Sequence, residues 1–171
     1  MRLHIGGTTR REGWTNLNIV PGPEVDVVGD CQDLSHLADA SVDEIYASHV
    51  LEHLDYRHEL PRALKECHRT LKNAGVFHIS VPDMQILCWL FRHPKLSLRA
   101  RFAIMQKIFG AHVDAHDHHK VGLDYELLRH YLAQAGFRRV ERVESLGIFN
   151  DTSEMQMLGV RISLNVRTYK S

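Results

Sequence analysis

Residues 2–20 read RLHI-GGTTRREGW-TNLNIV, and the nine residues Gly6–Trp14 in the middle decide the fold. RLHI is a short apolar strand that runs straight into Gly6-Gly7. TNLNIV is a second strand, entered after Gly13-Trp14. A glycine turn at the end of a first strand is where α/β proteins receive nucleotide-like cofactors. Nine residues of turn chemistry leave little room for the usual crossover helix. A dinucleotide needs a helix N-terminus for its pyrophosphate. The later positions of GxGxxG are filled by Arg10 and Arg11, and no Walker sequence is present. Phosphate-bearing cofactors are therefore disfavoured, whereas a nucleoside without phosphates would not miss the helix.

Working outward, short apolar strands alternate with helices, which argues for a mostly parallel sheet. Strands are expected at Arg2–Ile5, Asn16–Ile19, Val25–Val28, Val42–Ala47 and Val76–Val81, with Pro21-Gly22-Pro23 as a turn. Leu60, Ala63, Leu64, Cys67 and Leu71 share one face of a helix over Arg57–Lys72, stopped by Asn73-Ala74-Gly75. Asp83 caps an almost wholly apolar helix over Met84–Arg92, ended near Pro94. Leu98, Phe102, Met105 and Phe109 form a further helical stripe. Gly110–Leu123 is a loop rich in histidine and aspartate, after which Asp124 caps Tyr125–Ala135 and Gly136 ends it. Phe137–Glu144 and Met157–Thr168 are late strands without a crossover helix between them, so they should pair antiparallel. One domain over residues 1–171 is expected, with residues 84–123 a helical insertion covering the site.

The 171 residues are 44% hydrophobic, enough for a substantial core. Basic and acidic residues both number 21, so no overall basic field argues for nucleic acid or an anionic membrane. The longest apolar run, MQILCWLF, is far too short to span a bilayer, and the first residues lack a signal peptide's pattern. Cys31, Cys67 and Cys88 are odd in number and form no CxxC pair, which points to a reduced, cytoplasmic setting.

The residues around the glycine turn sharpen the cofactor. Asn18 ends the second strand, where a side chain reaches ribose hydroxyls, and Asp30 ends the third, where a carboxylate accepts from an adenine amino group. DEIYASHVLEHL then gives a strand, a small-residue break and two histidines before a helix, and LKNAGVFHISVPD a helix end, a glycine, a strand and a proline. This ordered set resembles the class I S-adenosylmethionine-dependent methyltransferases, in particular a compact bacterial branch that reads GWxNxD, VDxVxD, AxHVLEH and LKxGGxxxISVPD. The resemblance covers most of residues 2–83 and returns in AGF at Ala135–Phe137 and SLNV at Ser163–Val166. It implies a seven-stranded Rossmann-like sheet of order 3-2-1-4-5-7-6, mostly parallel with an antiparallel last strand, here with the first crossover helix missing or very short. It implies S-adenosylmethionine over the carboxyl ends of strands one to four. Gly6, Gly7 and Thr8 would face the methionine part, Asn18 the ribose and Asp30 the adenine, with Cys31 and Gln32 beside the ring and His49 near the sulfonium. The turn here reads GGT rather than GxG, and Asn18 stands where the family has an acidic residue. Arg10 or Arg11 is the expected partner of the cofactor's carboxylate.

Thirteen histidines are an outlier. His49–His53 also matches H-x-x-E-H, a zinc-peptidase signature that needs both imidazoles on one helix face. It directly follows a strand and no third ligand is identifiable, so no metal is expected and a zinc hydrolase is the weaker alternative. His112, Asp114, His116, Asp117, His118 and His119 form a second cluster. In the methyltransferase reading, His116, His118 or Tyr125, together with His49, are the candidate catalytic groups. The acceptor is expected to be a small molecule or a glycan, without nucleic-acid or membrane partners. A non-catalytic nucleoside-binding protein on the same fold is the other alternative.

Overall fold

The computed structural model describes residues 1–170. Strands β1 (Arg2–Ile5), β2 (Trp14–Asn18), β3 (Val27–Val28) and β4 (Val42–Ser48) precede helix α1 (Glu59–Thr70) and strand β5 (Leu71–Pro82). Helices α2 (Met84–Phe91), α3 (Leu98–Phe109) and α4 (Tyr125–Ala135) follow, then strand β6 (Arg139–Val143). Strands β7 (Gln156–Met157), β8 (Val160–Arg161) and β9 (Ser163–Tyr169) complete the chain.

Seven strands form one sheet in the order β3-β2-β1-β4-β5-β9-β6. The first five pair in parallel, and β9 runs antiparallel to both β5 and β6. Counting the seven in chain order, this is the predicted 3-2-1-4-5-7-6. The crossover from β1 to β2 contains no helix; Gly6 N–H instead continues the ladder by donating to the Leu17 carbonyl at 2.8 Å.

Three sequence expectations change. The strand expected at Val76–Val81 begins at Leu71, because Leu71 pairs with Val42 and is fully buried. Asn73-Ala74-Gly75 is therefore a bulge within β5 rather than the helix stop, with Ala74 at φ 61° and the register shifting between Val42 and Glu44. The strand expected over Met157–Thr168 is split by a turn at Leu158-Gly159, where both residues have positive φ, as a two-residue hairpin turn demands. Finally, Leu98, Phe102 and Phe109 are exposed on α3. The buried side of α3 carries Ile104, which packs with Leu87, Leu90 and Ile162 in a small second core.

The main core lies on one face of the sheet. Ile5, Leu17, Ile45, Phe77 and Val166 meet Leu60 and Leu64 of α1 and Leu128 and Leu132 of α4. The other face lacks the helix that a longer β1–β2 crossover would provide. The connection between β6 and β9 takes its place. Phe149 lies 4.1 Å from the His4 ring and packs on Trp14 and Tyr46. Tyr46 Oη donates to Asp151 at 2.8 Å, and Asn165 Nδ2 donates to the carbonyls of Glu144 and Ser153.

This covering buries His4 with no partner for Nδ1. Burial holds its imidazole down at about 4, with the Asp151 carboxylate opposing more weakly. The folded chain thus binds the His4 proton less readily than the unfolded chain, where the ordinary value is 6.5. The stability from a neutral His4 is complete above pH 6.5 and is lost as pH falls toward 4. At about pH 5 the loss amounts to roughly 2 kcal/mol. Urea unfolding at neutral and acid pH checks this: His4→Phe should remove about that much of the acid sensitivity, and an unchanged pH slope would refute it.

Candidate cofactor site

A cleft of about 630 Å³ opens at the carboxyl ends of β1, β2 and β3. Gly6, Leu17, Asn18 and Ile19 line one side, Gly29–Gln32 the next, and Val50, His53, Leu54 and Glu59 the side after β4. Residues 113–118 and Lys120 close it from the loop before α4. This is the position at which open α/β sheets bind ligands, and the size suits a nucleoside-sized molecule.

Local sequence explains each wall. Gly6 sits at φ 74°, and a Cβ there would come within 2.4 Å of Val50 Cγ2. Asn18 Nδ2 donates to the Gly7 carbonyl at 3.3 Å, and its Oδ1 accepts from Val20 N at 3.0 Å. Asp30 Oδ1 and Oδ2 accept from Gln32 N and Gln32 Nε2, both at 2.9 Å. Asp30 and Gln32 are thereby held as one unit on the cleft. Cys31 is buried there and its thiol is pushed up to about 12 by burial and the neighbouring Asp30. It is an inert wall. Glu59 pairs with Lys120 at 2.8 Å across the cleft mouth, which holds the carboxyl below its usual range.

Of the residues expected from sequence, Gly6, Asn18, Asp30, Cys31, Gln32, His116 and His118 line this cleft. Gly7, Thr8, His49 and Tyr125 do not. Gly7 faces the opposite side of the sheet, where a Cβ would meet Asn16 Oδ1 at 2.6 Å. Thr8 is exposed on the turn. Tyr125 Oη donates to the Val140 carbonyl at 3.1 Å, because α4 packs that ring against the core. Arg10 is occupied by Glu24 at 2.9 Å and by the Pro23 carbonyl. Arg11 donates to the Ile148 carbonyl and lies over the Phe149 ring. Neither guanidinium lines the cleft: Arg10 serves the loop after β2 and Arg11 the sheet's far side.

His49 also turns away. It adopts φ 53°, and its Nε2 meets Ser163 Oγ at 3.0 Å. Burial holds its imidazole down at about 4. His49 precedes the short 3-10 turn Leu51–His53 and the two histidines do not share a helix face. The arrangement a peptidase H-x-x-E-H requires is absent. Glu52, in that turn, is fully buried and its carboxyl is pushed up to about 8 by burial, reinforced by the Asp117 charge. Val50, Leu54, Glu59 and Lys120 were not foreseen as lining residues. Val50 lies within the HVLEH motif and Leu54 directly after it, so both could have been found there; no sequence signal marks the Glu59–Lys120 pair.

Among the described residues, no helix is long and apolar enough to cross a membrane.

Residues 12–79 match the model of a methyltransferase domain family. No curated protein matches the chain in sequence. Among solved structures, it is similar to an S-adenosylmethionine-dependent methyltransferase from Thermotoga maritima, with 21% identity, TM-score 0.62, and 99% and 82% of the two chains covered. A second, from Archaeoglobus fulgidus, has 20% identity, TM-score 0.61 and coverage of 99% and 85%. The 1,6-didemethyltoxoflavin-N1-methyltransferase of Burkholderia thailandensis, solved with its substrate and S-adenosylhomocysteine, has 15% identity, TM-score 0.59 and coverage of 99% and 71%. The chain therefore has the Rossmann-like methyltransferase fold, and residues 12–79 are similar to a methyltransferase domain.

Proposed function

We propose that this protein is an S-adenosylmethionine-dependent methyltransferase acting on a small-molecule or glycan acceptor. The observation that carries the proposal is the convergence of Gly6, Asn18 and the Asp30–Gln32 unit on one cleft at the strand ends. The cleft fits the cofactor: it has the volume, its glycine keeps Val50 from being displaced, and its polar groups sit at successive strand termini. Asn18 would hold the ribose hydroxyls, Asp30 and Gln32 the adenine edge, and Cys31 the ring face. When bound, the cofactor supplies an electrophilic sulfonium methyl group.

The chain's own contribution is alignment and exclusion of water, which suffice for an acceptor that is already nucleophilic. The loop at 113–118 walls the cleft and would face an incoming acceptor. His116 and His118 are exposed on it and line the cleft, and either would take a proton from an acceptor hydroxyl or amine. The neutral balance of 21 basic and 21 acidic residues favours a small-molecule or glycan acceptor over nucleic acid. We take residues 1–171 as one domain in which 84–123 is an insertion whose final part, not its helices, closes the cleft.

Calorimetric titration with S-adenosylmethionine and S-adenosylhomocysteine tests this. Saturable one-to-one binding of both is expected. Absence of heat at roughly millimolar ligand, a binding free energy weaker than about 4 kcal/mol, would sink it.

A further inference from the structure

We propose that Glu52, His53 and His119 form a site for one divalent transition-metal ion, of the zinc class, at the wall of the cleft. Their ligating atoms all lie within 4.8 Å of one another. The site joins two segments distant in sequence: the turn after β4 and the loop before α4.

Glu52 is the observation that points to an occupant. Its side chain is 2% exposed, and neither carboxylate oxygen has a hydrogen-bond partner. The nearest charged-type neighbour is His49, whose Nδ1 lies 3.5 Å from Oε1. A buried carboxyl without partners is costly in its charged form, so it keeps its proton unless it is paired or coordinates a metal. A small cavity of about 10 Å³, which Glu52, Lys107 and His119 line together with apolar residues such as Met84 and Leu87 but which His53 does not reach, lies alongside. That is room for one atom-sized occupant and nothing larger. Lys107 is the group a bound cation would push toward solvent.

Both imidazoles are ready to ligate. The His53 and His119 rings are half-buried side by side, their centroids 4.8 Å apart. Neutral imidazole is the metal-binding form. His53 Nδ1 lies 3.2 Å from the His118 carbonyl. Donation there leaves the lone pair on Nε2, as an outer partner does for a metal-bound histidine. Two nitrogens and one carboxylate oxygen suit zinc, cobalt or iron rather than magnesium or calcium, which take all-oxygen sets. Ligand bonds of about 2.0–2.2 Å place tetrahedral donors roughly 3.3 Å apart, so modest side-chain rotations close the set. The fourth position stays open.

The ion would clamp a connection that the backbone already begins, since Lys120 N–H donates to the Glu52 carbonyl at 2.8 Å. The same loop carries the cleft wall at 113–118. Metal would therefore order that wall and raise the affinity of any cleft ligand, a consequence that rests on the methyltransferase reading; the metal site itself does not.

The test uses chelator-stripped full-length protein. Zinc calorimetry and cobalt absorption should show one ion per chain with the ligand-field bands of a four- or five-coordinate nitrogen/oxygen site. Glu52→Gln and His119→Asn should each weaken binding by more than about a hundredfold, since outer-shell partners alone cost 10–100-fold. His130→Ala, an exposed histidine on α4, should bind as the wild type does. Circular dichroism verifies that the variants are folded, and His119→Asn, on a half-buried loop position, serves if Glu52→Gln is not. Weak, multiple binding that neither variant changes would overturn the site and assign the metal to surface histidines. Metal binding without S-adenosylhomocysteine binding would uphold the site while removing the methyltransferase reading; the reverse result would remove only the site.

Discussion

Gly7→Ala should destabilise the protein by about 3 kcal/mol, although Gly7 does not line the cleft. A Cβ at this position would lie 2.6 Å from Asn16 Oδ1 and 2.9 Å from His4 Cγ. Asn16 cannot simply swing away. Its Nδ2 donates to the carbonyls of Thr9 and Glu24, at 3.1 and 2.7 Å, and so ties the turn after β1 to the loop after β2. Overpacking of this kind costs about 1–3 kcal/mol, and each displaced hydrogen bond about 1 kcal/mol more. Chemical denaturation reads the effect directly. A change below roughly 1 kcal/mol would mean that the turn relaxes freely and that Asn16 is not the clasp described. The two adjacent glycines thus have separate roles: Gly6 keeps the cleft open against Val50, and Gly7 lets the far side of the sheet close.

Asp30→Ala should weaken S-adenosylhomocysteine binding roughly tenfold to hundredfold, with little change in stability. A hydrogen bond to a charged group contributes about 1.5–3 kcal/mol, and here the carboxylate also holds the Gln32 amide in place. Calorimetry on the wild type and the variant decides it. Equal affinities would place the adenosine elsewhere than at the end of β3. A loss of affinity in the variant, with no product from the wild type on any acceptor mixture, would favour a binding protein on this fold over an enzyme.

These two residues show how far a local reading reaches. Asn18 and Asp30 were legible because each stands at the end of an apolar strand, and strand ends in a parallel sheet share one edge. Tyr125 was not. Its position as the first residue of α4 followed from the Asp124 cap, but the direction of its hydroxyl depends on α4 packing beside β6, where Val140 offers a carbonyl. The α3 stripe failed for a related reason. Helical spacing shows which residues share a face but not whether that face meets the protein, and Leu98, Phe102 and Phe109 face solvent while Ile104 is buried.

The arginines of the opening stretch mark the boundary most clearly. The shortness of Gly6–Trp14 by itself pointed to a missing or very short crossover helix, as the structure has it, and thereby disfavoured a phosphate-bearing cofactor, because helix length is a property of local chain. The strand succession likewise pointed to a mostly parallel sheet with an antiparallel end, while the strand order was what the methyltransferase resemblance implied, and it is the order observed. Only the tertiary structure decided what fills the helix's place. The connection carrying Ile148 and Phe149 arrives 137 residues later in the chain and takes Arg11 away from the cofactor site. It also decided that Glu52, His53 and His119 meet, because a ligand set assembled from two loops has no periodicity for a sequence to display.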